Sequence, residues 1–279
     1  MHAYVILDVF TEVPLQGNPV AVFTDGRGVT AEVMQSTARE LNLSETVFLL
    51  PSTGEADAHA RIFTPATELP FAGHPVLGAA FVVGERLAAS TVRLQTAAGV
   101  IRVQLRREND RIAFGEMAQP IPTWEAFART EELLEAIGIE RSGLPVEIYD
   151  NGPRHLFVAL DEEARVAALR PDLEALRGLG ELGVSCFASS GTSVKTRMFA
   201  PGMGVPEDPA TGSAAGPLAV HLARHGRTRF GEGIEIRQGA EIGRPSILHA
   251  VAEGSADRIE QVKVAGAAVT VARGEYRLD

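Results

Sequence analysis

Arg61-Ile62-Phe63-Thr64-Pro65, leading into Leu69-Pro70-Phe71-Ala72-Gly73-His74-Pro75, is echoed downstream by Arg197-Met198-Phe199-Ala200-Pro201, leading into Val205-Pro206-Glu207-Asp208-Pro209-Ala210-Thr211-Gly212-Ser213. Each copy reads as a short strand, a proline-punctuated loop, then a glycine and a small polar residue opening an apolar helix. Phe63 to Pro70 has the spacing of Phe199 to Pro206, whereas Gly212 falls three residues late against Gly73, as if Glu207-Asp208-Pro209 were inserted in the second copy. A helix start presents unpaired backbone N–H groups and the positive end of a dipole. Two such starts facing each other would hold a small anion.

Outward from these stretches the order of elements recurs. Residues 4–10 and 19–23 are β-branched runs, Thr30 caps a helix carrying Met34, Ala38 and Leu41 on one side, and 46–50 is an apolar strand. Residues 74–83 form a helix with hardly a polar side chain, which belongs inside something. Residues 91–114 alternate as an antiparallel ladder. After a stiff linker over 117–124 with two prolines, the order returns: strands at 147–149 and 156–160, a helix opened by Pro171 and Asp172, a strand at 183–187, and a second inner helix over 213–225. The expected fold is α+β, with two similar lobes from internal duplication. Each lobe would be a curved, mainly antiparallel sheet or barrel around a central helix, with boundaries at 1–118 and 119–279 and the last strand returning to the first lobe. A ligand is expected in the cleft between the lobes.

Composition points to an enzyme rather than a binding module for charged polymers. A chain of 279 residues, 45% hydrophobic, buries a full core, and a net charge of -10 argues against nucleic acid or an anionic membrane. No stretch approaches the roughly 20 apolar residues a membrane span needs, and the N-terminus has no cationic leader, so a cytoplasmic protein is expected. A single cysteine, Cys186, suits that compartment; it lies in an apolar strand, where a buried inert thiol is the default.

Four side chains carry the candidate chemistry. Glu45 sits between a helix stop and an apolar strand, either facing solvent or at the rim of a dry pocket where desolvation would suit it to shuttle protons. His74 at its helix start is either a hydrogen-bonding cap or a neutral ring available to a ligand. Asp208 reads as a loop-closing cap on the following amides. Ser213, with Thr211, Gly212 and Gly73, offers hydroxyls and amides that would grip a carboxylate. His221 and His225 have the i, i+4 spacing of metal ligands, but Leu222 stands where a metalloprotease carries its glutamate and no third ligand is evident, so no metal is expected. Nothing fits a phosphate or dinucleotide fingerprint, and chemistry by acids and bases without a cofactor is implied.

Gly17-Asn18-Pro19-Val20-Ala21-Val22-Phe23, Asn42-Leu43-Ser44-Glu45, Glu68-Leu69-Pro70-Phe71-Ala72-Gly73-His74-Pro75 and Asp208-Pro209-Ala210-Thr211-Gly212-Ser213-Ala214-Ala215-Gly216 resemble the PhzF-like family of phenazine biosynthesis, nearly end to end. The resemblance implies the duplicated fold of diaminopimelate epimerase and a homodimer using neither metal nor cofactor. It also implies an isomerase that moves a proton from C3 to C1 of a dihydro-hydroxyanthranilate ring. Glu45 then matches the general acid/base, with His74, Asp208 and Ser213 positioning the substrate. The epimerase's two cysteine positions hold Ala72 and Thr211, neither able to exchange a proton with carbon, so one carboxylate carries the chemistry. Two other readings stay open: a family isomerase or epimerase of another small amino or hydroxy acid, and a carboxylate-binding protein that does no chemistry.

Overall fold

The computed structural model describes residues 1–52 and 54–278. The chain divides into two compact units, Met1–Ala118 with Ala265–Asp279, and Gln119–Val264. The first runs β1 (His2–Val9), β2 (Asn18–Phe23), α1 (Ala31–Leu41), β3 (Glu45–Leu50), β4 (Ala58–Phe63), β5 (Glu68–Leu69), α2 (Gly73–Leu87), β6 (Thr91–Thr96), β7 (Gly99–Glu108) and β8 (Arg111–Gln119). The second runs β9 (Thr123–Ala126), α3 (Thr130–Ile137), β10 (Glu147–Asp150), β11 (Arg154–Ala159), α4 (Glu163–Ala168), α5 (Leu173–Arg177), β12 (Gly183–Ser190), β13 (Ser193–Ala200), β14 (Val205–Asp208), α6 (Gly212–Arg224), β15 (Ile234–Gln238), β16 (Ser246–Gly254) and β17 (Ile259–Gly266). Strand β18 (Ala268–Tyr276) returns to pair antiparallel with β1. The linker expected over 117–124 is shorter than its prolines suggested: Met117 is a buried residue of β8, and only residues 120–122 lie outside strands.

The two units repeat one pairing scheme. In the first, β1–β2, β3–β4, β4–β5 and β6–β7 are antiparallel, while β2–β3 and β4–β6 are parallel. In the second, β10–β11, β12–β13, β13–β14 and β15–β16 are antiparallel, while β11–β12 and β13–β15 are parallel. Parallel neighbours need a crossover, and the crossovers from β4 to β6 and from β13 to β15 are the apolar helices α2 and α6. Both are buried on every side over their first turns, as an all-round apolar helix demands. Small residues allow it: a Cβ on Gly78 would come 2.7 Å from Val20, and one on Gly216 would come 2.2 Å from the Gln119 Oε1.

Strand register corrects the placement of the insertion. Ile62 pairs with Leu69 in the first unit and Met198 with Asp208 in the second, so Leu69 and Asp208 are counterparts, and Pro70 answers to Pro209. The three additional residues therefore precede Glu207, where the 3-10 turn Pro201–Met203 widens the loop. A repeated ion pair agrees: Arg61 forks onto Glu68 with both bonds at 2.7 Å, and Arg197 forks onto Glu207 at 2.8 and 2.7 Å. Each guanidinium also lies over the phenylalanine two residues on, Phe63 at 5.1 Å and Phe199 at 5.0 Å. Proline-to-proline matching misled because Pro206 lies in β14, after the widened turn, and only imitates the spacing of Pro70.

Candidate functional site

Glu45 opens β3 three residues after the left-handed Asn42 that ends α1, and its side chain is 14% exposed. The solvent-facing alternative is therefore not adopted. The Glu45 Oε2 lies 3.2 Å from the His74 Nε2. His74 does not cap its helix: the cap position is Ala72, which makes no side-chain bond. Burial pushes the His74 imidazole down to about 3, against the opposing effect of a hydrogen bond to the Pro19 backbone. A carbonyl only accepts, so the ring nitrogen bonded to Pro19 carries the hydrogen, and the neutral ring turns a bare Nε2 toward Glu45. That lone pair can accept from the carboxyl group of Glu45 when it holds a proton. The contact therefore suits a Glu45 carboxyl group at the stage when it holds a proton.

In the second unit, Asp208 ends β14 and Thr211 caps α6. Asp208 accepts from a hydroxyl: the Thr211 Oγ1 donates to its Oδ2 at 2.6 Å, and Gln238 donates to the Asp208 backbone carbonyl at 2.8 Å and to the Thr211 Oγ1 at 2.9 Å. Ser213 follows Gly212 in the first turn of α6, and all four residues are buried. Three side chains to which the sequence reading gave no role complete this start. Pro217 lies inside the helix without an N–H, so the carbonyl four residues earlier, that of Ser213, lacks its usual donor. The Asn151 Nδ2 supplies that bond at 2.9 Å, while the Gln119 Nε2 donates to the Gly212 carbonyl at 2.7 Å across the space left by Gly216. His155, fully buried, places its Nε2 3.1 Å from the Ser213 Oγ. A proline four residues past a helix-opening serine was the signal for Asn151.

The His221 and His225 pair gains the third ligand that the sequence did not reveal. Donor atoms of Glu147, His221 and His225 lie within 4.8 Å of one another. The same Glu147 Oε2 accepts from the Arg224 Nη1 at 2.7 Å, and Arg224 also bonds Tyr149 and lies 4.1 Å over Trp124. The guanidinium supplies the positive charge this carboxylate needs. Burial works to raise the Glu147 carboxyl, but bonds from His221, Arg224, His225 and Tyr149 outweigh it and hold it below the usual carboxylate range. Cys186 is buried and pushed up to about 12 by desolvation, as an inert thiol should be.

Three buried histidines make stability pH-dependent. Burial lowers His74 to about 3 and His155 to about 4, and holds His221 below 6.5. The unfolded chain binds more protons than the native one between those values and 6.5, so stability is full above that pH and falls as pH drops through this window. Each ring contributes a slope approaching ~1.4 kcal/mol per pH unit. Urea unfolding at pH 7 and pH 5.5 is expected to show lower stability at the acid end, and His74→Leu or His155→Leu should flatten the slope.

A family model described as phenazine biosynthesis-like protein matches residues 7–274. The trans-2,3-dihydro-3-hydroxyanthranilate isomerase of Pseudomonas chlororaphis is 53% identical over 98% of this chain and 99% of its own length. That of Pseudomonas aeruginosa is 50% identical over all of both. A PhzF-family phenazine biosynthesis protein from Bacillus anthracis superposes with a TM-score of 0.84 at 25% identity over 99% of both chains. A hydroxyproline epimerase from Agrobacterium vitis shares the fold alone, with a TM-score of 0.67 at 15% identity over 98% of this chain and 90% of its own. An epimerase-type fold and full-length relatives that are isomerases define this chain as an isomerase. It belongs to the PhzC/PhzF family of phenazine biosynthesis-like proteins.

Proposed function

We propose that the chain isomerises trans-2,3-dihydro-3-hydroxyanthranilate by moving a proton from C3 to C1. The observation that carries this reading is the buried pair of Glu45 and a neutral His74, joined to relatives of at least half identity that act on this compound. Glu45 as carboxylate takes the C3 proton and then holds it as an acid, with the bare His74 Nε2 as acceptor for that acid; delivery to C1 restores the carboxylate. Proton and charge balance, and the enol left behind tautomerises to a ketone. Asp208 and Ser213 position the substrate, and Gly73, Thr211 and Gly212, at the starts of α2 and α6, offer it backbone amides and a hydroxyl. The family resemblance supports a homodimer that works without metal or cofactor, and the single cysteine suits a cytoplasmic compartment.

Incubation with the dihydro-hydroxyanthranilate in heavy water, followed by NMR and mass analysis, tests this. Conversion to the ketone with deuterium on ring carbon is expected. Binding without conversion or exchange would instead support a carboxylate-binding protein, and conversion only of another small amino or hydroxy acid would support a different substrate within the family.

A further inference from the structure

We propose that His155 is a positioning residue for Ser213: its Nε2–H donates to the serine oxygen and leaves the hydroxyl hydrogen to be donated to a substrate carboxylate. This rests on the reading of Ser213 as a substrate ligand.

Register places His155 beside the counterpart of a functional position. Thr46 pairs with Phe63 and Val184 with Phe199, so Glu45 answers to Gly183, one residue earlier in each strand. On the other side, Val20 pairs with Glu45 and His155 with Gly183, so His155 answers to Val20. Gly73-His74 and Gly212-Ser213 open the equivalent helices α2 and α6. In the first unit a glutamate faces the second residue of its helix. In the second unit the glutamate is replaced by glycine, and the neighbouring strand sends an imidazole to the second residue of α6 instead. The imidazole uses the emptied room, since a Cβ on Gly183 would lie 2.7 Å from the His155 Nδ1.

The partners of the two ring nitrogens decide the tautomer. Nδ1 is buried and has no hydrogen-bond partner, and an orphan N–H is the rarer and costlier choice. The hydrogen of the neutral ring therefore sits on Nε2, 3.1 Å from the Ser213 Oγ. Having accepted from His155, the serine acts as a donor, which favours an ionised carboxylate over groups that only donate. Asn151, from the same turn between β10 and β11, fixes the backbone of Ser213 through its carbonyl.

Nitrogen-15 NMR of the histidine-labelled full-length chain reads the tautomer directly. The expected His155 signature is a protonated Nε2 and a bare Nδ1, unchanged between pH 8 and pH 5.5; a protonated Nδ1 overturns the proposal. In turnover of the dihydro-hydroxyanthranilate, His155→Leu is expected to raise KM about tenfold, the scale of one hydrogen bond to a charged group, with a smaller change in kcat. His155→Gln, whose amide can reach the same oxygen as a donor, should restore most of the loss. In a Ser213→Ala background His155→Leu should add nothing further. An undiminished effect there overturns the proposal, as does a KM unchanged by His155→Leu alone. A Ser213→Ala variant with normal KM refutes the role of Ser213 itself, an outcome separable from the tautomer measurement.

Discussion

Glu45→Gln is expected to lower kcat by about 10² to 10⁴-fold, the range contributed by a positioned acid or base, while leaving the affinity for an unreactive anthranilate analogue within a few fold. The substitution is close to isosteric, and its amide can donate to the bare His74 Nε2 3.2 Å away, so the contact survives while the transferable proton does not. The thermal midpoint should therefore stay near that of the parent chain. Steady-state rates, analogue titration and a thermal melt separate the possibilities: full turnover would remove Glu45 from the chemistry, and a collapsed melt would make the defect structural.

The largest expected effect on stability lies at Glu207. Arg197 is only 7% exposed and Glu207 13%; the guanidinium is held by the carboxylate fork and by bonds to the Leu169 carbonyl at 2.8 Å and the Ala167 carbonyl at 3.2 Å. Glu207→Ala leaves a buried guanidinium with backbone carbonyls but without its paired carboxylate, which costs about 3–5 kcal/mol. Its counterpart pair, Arg61 and Glu68, has the same fork at 24% and 42% exposure, and water screens it. Glu68→Ala is accordingly expected to cost no more than about 1 kcal/mol. Urea unfolding of the two variants side by side checks the contrast. Equal losses would contradict the argument from burial.

The duplication was legible in the sequence because strand, loop and helix start each left a distinct mark in Arg61-Ile62-Phe63 and Arg197-Met198-Phe199. Its register was not legible, since Pro206 imitates Pro70 in spacing while Pro209 occupies its structural place. Only hydrogen-bonded pairing distinguishes the two prolines. Glu45 and His74 could be named from their places beside a strand and at a helix start, yet their mutual contact depends on the parallel pairing of β2 and β3, a long-range feature without local pattern. His155 escaped for the same reason: nothing in its own stretch shows that residue 183 is a glycine beside it. Glu147 was missed as a partner of His221 and His225 because a strand residue more than 70 positions away carries no periodic signal.

In the proposed reaction a single carboxylate carries one proton from C3 to C1. Substrate deuterated at C3, converted in ordinary water by the full-length chain and followed by NMR under single-turnover conditions, tests it most directly. A carrier that holds one proton in a largely buried site returns part of its own deuterium, so the account predicts label at C1 of the product, absent with Glu45→Gln. Complete loss of the label to water, or label at C1 formed equally well by the Gln variant, would contradict it.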